Sequence, residues 1–117
     1  MDDLLSRMQA HLIPLGAEQK NMFGGVCFML NGNMVVGTHR KEMLVRVGKD
    51  RDAFAATQAG ARIMEMQGKP MAGYWFVAPE ALQSDDALES WIGLALAYNR
   101  ELPPKAAGAR NKKPKQG

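Results

Sequence analysis

Apolar and polar positions change their period several times along the chain. From residue 2 to residue 15, Leu4, Leu5, Met8, Leu12 and Leu15 recur at helical spacing and form one apolar stripe. Asp2 and Asp3 stand at the start, where a helix dipole favours acids. Pro14 disfavours helical geometry at Ile13, so the regular helix is expected to end there and Gly16 to turn the chain. Residues 17–21 are predicted to be a polar connector. Residues 22–48 then hold three apolar runs, at 24–30, 34–37 and 43–47. Asn31-Gly32 separates the first two and suits the positive-φ positions of a tight hairpin. Residues 38–42, polar and basic, suit a looser one. These runs predict a three-strand antiparallel meander around which the rest is placed.

Residues 49–57 predict a short helix with Phe54 as its largest apolar side chain, ended by the glycine at position 60. Residues 61–66 alternate as a fourth strand, and residues 67–70 form a turn. Tyr74-Trp75-Phe76-Val77 is the most β-prone run in the chain and predicts a fifth strand, closed by Pro79. Ser84 is a good N-cap for a last helix, followed by Asp85 and Asp86. Leu88, Trp91, Ile92, Ala95, Leu96 and Asn99 then recur at helical spacing until Pro103-Pro104. The order α-β-β-β-α-β-β-α predicts an α+β domain in two layers. An antiparallel-rich, five-stranded sheet carries its helices on one face.

Charge divides the chain in two. The net charge is +3, but Lys105, Arg110, Lys112, Lys113 and Lys115 follow Pro104 without an acid among them. Without those five, ten basic residues face twelve acidic ones, so the basic balance belongs to the tail. Residues 1–104 are therefore read as the domain. Residues 105–117, lacking any large apolar side chain, are read as a disordered basic tail. Such a tail offers nucleic acid weak, salt-sensitive contacts at most. No apolar run is long enough for a membrane span, no signal peptide is expected, and one cysteine cannot close an internal disulfide. A cytoplasmic location is the expectation.

Candidate chemistry is sparse. Gly32 and Gly37 have the spacing of a phosphate loop, but Thr38 and His39 stand where lysine and a hydroxyl are needed. Cys27 lies among Val26, Phe28 and Met29, where a small buried hydrophobe is expected rather than a reactive thiol. His11, His39 and Cys27 do not match zinc spacing, and no metal or cofactor is implied. The nine methionines lie on separate segments without a tight cluster, which favours sheet core and sheet edge. An adaptable binding surface is the other reading. No pair of acids suggests general acid–base catalysis, so no enzyme is expected.

Several motifs occur together and in order: Met22-Phe23-Gly24-Gly25-Val26, Asn31-Gly32, Leu44-Val45-Arg46-Val47-Gly48, Gly68-Lys69-Pro70-Met71-Ala72-Gly73-Tyr74, and Val77 two residues before Pro79. In these the chain resembles the N-terminal domain of the TfoX/Sxy family, over about residues 2–104. The resemblance implies a two-layer α/β domain and a role in regulating bacterial natural competence through a transcription activator. Full-length members also carry a C-terminal helical domain, where this sequence has only the basic tail. The resemblance brings no catalytic residues. It favours a regulatory module that binds a protein partner or a second copy of itself. The surface expected for this is the turn and strand from Gly68 to Trp75, with Lys69, Tyr74 and Trp75 as its binding residues and Arg40, Lys41 and Arg46 beside it. The alternative is an accessory protein that binds nucleic acid weakly through the tail.

Overall fold

The computed structural model describes residues 3–22 and 24–104. Helix α1, Asp3–Leu12, passes into a 3-10 turn at Ile13–Leu15 and stops at Gly16, where φ is 91°. Pro14 lies in that turn, so the regular helix ends where its geometry requires.

The first departure from expectation follows immediately. The supposed connector contains strand β1, Glu18–Met22, which pairs antiparallel with β2, Gly25–Leu30. It lies at the sheet edge with four of its five residues exposed, so no apolar alternation marks it in the sequence. Its strand character comes from the backbone ladder to β2.

β3 (Asn33–His39) and β4 (Glu42–Arg46) complete a four-strand meander. Asn31 and Gly32 turn between β2 and β3 with φ of 57° and 78°, as expected of this dipeptide. The β3–β4 connection is tighter than expected. Thr38 pairs with Met43 and His39 with Glu42, leaving Arg40 and Lys41 as a two-residue turn. The extended ladder offsets the left-handed conformation of Arg40, whose φ is 58° and which costs about 1–2 kcal/mol.

A 3-10 turn at Lys49–Arg51 leads into helix α2, Asp52–Ala56. Strands β5 (Ala61–Met66) and β6 (Lys69–Val77) then form a hairpin. β6 inserts between β4 and β5, giving the all-antiparallel order β1-β2-β3-β4-β6-β5. The sheet thus has six strands rather than five, and the element order gains a fourth strand before α2. β6 starts at Lys69 rather than at Tyr74. Its Pro70 lies beyond the last β4 pair, Arg46 with Tyr74, where β6 has only β5 beside it and proline is tolerated.

Helix α3, Asp85–Glu101, opens on Ser84, whose Oγ accepts from the Ala87 N–H at 3.1 Å. Its Leu88, Trp91, Ile92 and Ala95 join Met8 and Leu12 of α1 and Ala55 of α2 in one buried cluster. Phe28, Val36, Met43, Val45, Trp75 and Val77 belong to the same cluster from the sheet. Phe54 of α2 stays 52% exposed, so Ala55 is the residue that anchors that helix. Asn99, near the end of α3, donates from Nδ2 to the Leu30 carbonyl at 3.0 Å and ties the helix to the β2–β3 turn. Among the described residues, no helix is long and apolar enough to cross a membrane. The tail, residues 105–117, lies outside the described residues, as does Phe23.

Candidate functional site

Because side chains alternate along a strand, Leu44, Arg46, Tyr74 and Phe76 project from the side of the sheet opposite the core residues Val45, Trp75 and Val77, although Arg46, at the end of β4, still reaches Tyr98 of α3. On this helix-free side the β5–β6 hairpin is irregular. Ala61 to Ile63 pair with Val77 to Trp75, and then Glu65 pairs with Pro70. Residues 71–74 of β6 thus stand against Met64 alone. Such a bulge bends the paired strands. The bent arm brings Met64, Met66 and Met71 to the same hollow as Met22 and Met34 from the meander. Leu44, Phe76 and Cys27 also line this space of about 420 Å³.

Five methionines scattered in sequence therefore share one surface. Of the described methionines, only Met8 and Met43 lie in the buried core. The Cys27 thiol is buried, and desolvation raises its pKa. That agrees with a small hydrophobe rather than a nucleophile. His39 is half-buried against Phe76, with ring centroids 5.3 Å apart. The Arg62 guanidinium lies 5.0 Å from the same Phe76 ring and also binds Glu42, Nη2 to Oε1 at 2.9 Å.

Tyr74 lines a second, smaller hollow of about 310 Å³. Here the Arg46 guanidinium lies 5.4 Å from the ring centroids of both Tyr74 and Tyr98. Lys49 and Asp50 are also at the wall, beside Gly48 and Gly73. Gly48 has φ of 85°, and a Cβ there would collide with the Tyr98 ring. Gly73, with φ of 89°, is pinned on both sides. Its carbonyl accepts from the Val47 N–H at 2.8 Å, and its own N–H donates to Asp52 Oδ1 at 2.9 Å. Asp52 Oδ1 also accepts from Trp75 Nε1 at 2.8 Å. One carboxylate at the start of α2 thus fixes the base of the arm.

Of the expected binding residues, Arg46 and Tyr74 meet in this second hollow. Arg40 and Lys41 lie exposed in the β3–β4 turn, and Lys69 lies exposed at the outer end of the arm. Trp75, expected beside Tyr74 on an exposed strand, is instead buried on the helix side with 6% exposure. Alternation along β6 separates the two aromatics, and the Asp52 acceptor satisfies the indole N–H inside. Sequence reading passed over Tyr98 and Lys49, and offered a methionine binding surface only as the alternative to sheet core and sheet edge. Tyr98 was legible only as a residue beside the α3 stripe, with nothing to mark its contact with Gly48. The basic residues of the tail, Lys105 to Lys115, lie outside the described residues.

A comparison with curated proteins found no match. The sequence profile of the TfoX N-terminal domain matches residues 12–98, a span that takes in the sheet, both hollows and most of α3. On that match and the motifs that run through the meander and the arm, the chain belongs to the TfoX N-terminal domain family.

Proposed function

We propose that this domain is a regulatory interaction module, acting by binding a protein rather than by catalysis, and that its helix-free sheet face is the binding surface. The observation that carries this reading is the hollow shared by Met22, Met34, Met64, Met66 and Met71. Methionine is unbranched and polarisable, so a surface built from it repacks around a partner at low cost. The turn that follows the lining residue His39 carries Arg40 and Lys41, and Lys69 opens β6 as the ladder partner of the lining residue Met66. None of these three has an ion-pair partner among the described residues. The partner that fits is an apolar segment bordered by carboxylates. The cations steer its approach and the thioethers supply the contact.

The test is affinity capture, followed by reconstitution with the purified captured protein. A Met34→Gln/Met64→Gln variant is compared with a Met34→Leu/Met64→Leu control, each first checked for folding by circular dichroism. The glutamine variant is expected to bind at least about tenfold more weakly, since two buried amides are left unpaired, while the leucine control keeps its affinity. Equal binding by the folded glutamine variant would overturn this reading.

A further inference from the structure

The smaller hollow carries a different chemistry from the methionine surface. Arg7, Arg51 and Arg62 each reach a carboxylate, on Asp85, Glu101 and Glu42 respectively. Arg46 is half-buried and reaches none among the described residues. Its contacts are the Tyr74 and Tyr98 rings. Ring contacts of this kind use the charge of the guanidinium and leave its N–H donors free. The residue is thus held in place by carbon, over a cavity of about 310 Å³, with its hydrogen-bonding capacity unspent. Such positioning favours a bound anion, because the ordering of a long side chain is already complete.

The lining narrows the class of anion. Lys49 adds a second cation, and the Tyr74 and Tyr98 phenols add hydroxyl donors, against the single carboxylate of Asp50. A carboxylate ligand has two oxygens and one charge. A phosphate monoester has three terminal oxygens and a charge of about −1.5 to −2 at pH 7, and accepts from more of these donors at once. The two glycines let the wall pack closely: a Cβ at Gly48 would meet the Tyr98 ring, and one at Gly73 the backbone of Gly48 and Lys49. We propose that the hollow between Arg46, Lys49, Tyr74 and Tyr98 is a binding site for a phosphate monoester, adjoining the methionine surface and sharing Tyr74 with it.

The experiment is a two-dimensional amide NMR titration of the full chain at constant ionic strength. The probes are inorganic phosphate, O-phosphoserine, adenosine monophosphate and acetate. Saturating shifts are expected at Gly48, Lys49, Gly73 and Tyr74 with the phosphate probes, and weaker ones with acetate. Arg46→Gln is expected to raise the Kd at least about tenfold, the loss of a charge-assisted pair of hydrogen bonds. Lys49 is exposed, so Lys49→Gln keeps the test valid if Arg46→Gln fails to fold, and a rise of several-fold is expected there. Tighter binding of adenosine monophosphate than of phosphoserine assigns a nucleotide source, and the reverse a phosphorylated side chain. The proposal is overturned if acetate equals phosphate, or if the shifts gather instead at Arg40, Lys41 and Lys69. Undiminished binding by folded Arg46→Gln would overturn it too.

Discussion

On β4, Leu44 and Val45 are neighbours in the chain and belong to different environments. Val45 is fully buried beneath the helices, in a cluster with Phe28, Val36, Trp75 and Trp91. Leu44 lines the open hollow among methionines. The helix side is built mainly from β-branched, aromatic and leucine side chains with few rotamers, with Met8 and Met43 enclosed among them, and specifies one packing. The helix-free side is built from flexible thioethers around a bent hairpin, which specify a surface but not a single shape. One sheet thus divides the two tasks: one face determines the fold, and the other is left adaptable.

The largest expected effect tests that division directly. Leu88 is fully buried under the sheet, so Leu88→Ala removes contacts and leaves a cavity, at a cost of about 3 kcal/mol. Met34 is half-buried in the hollow, where neighbouring thioethers and water can fill the space, so Met34→Ala is expected to cost less than about 1 kcal/mol. Urea denaturation of both variants gives the two values. Equal losses would mean that the open face is part of the core, and the contrast would fail.

A middle-sized effect is expected at the junction of the faces. Asp52 accepts from the Trp75 indole on the helix side and from the Gly73 N–H at the base of the arm. Asp52→Ala leaves both donors part-buried and unpaired, which costs about 2 kcal/mol. Asp52→Asn keeps one oxygen and loses less. Hydrogen exchange of residues 64–73 should accelerate in the alanine variant while the α3 amides change little. Uniform acceleration would mean that the arm is not a separately pinned unit.

Most of the helix side was legible in the sequence, because burial imposes a period. The stripes Leu4–Leu12 and Leu88–Asn99, the Ser84 cap and the Asn31-Gly32 turn each encode their structure locally. β1 was not legible, because an exposed edge strand needs no apolar period, only a free ladder beside it. The hollows were hidden for a different reason. Met22, Met34, Met64, Met66 and Met71 come together through the insertion of β6 beside β4 and the slip between Ile63 and Glu65. Neither is a local property of the residues involved. The same holds for Arg46, which was singled out for its charge beside an aromatic strand. Its second ring, Tyr98, arrives from the far end of α3.

The smallest expected effect probes how the open face is closed at one end. Glu42 on β4 and Arg62 on β5 reach across β6 over the Phe76 ring, so charge does on this side what carbon does on the other. The hydrogen bond from Arg62 holds the Glu42 carboxyl below its ordinary range. A lowered folded pKa means that the pair's contribution is present above the unfolded value and is lost as pH falls through the folded one. Arg62 is 61% and Glu42 20% exposed, so solvent screening keeps this contribution within about 1 kcal/mol. Glu42→Gln should therefore lower stability by that amount at most at pH 7. The difference from the parent should narrow as pH falls below the ordinary carboxylate range, as the parent carboxyl takes up its proton. Urea midpoints at pH 7 and pH 3 measure both points. A gap as wide at pH 3 as at pH 7 would show that Glu42 acts through packing rather than through its charge.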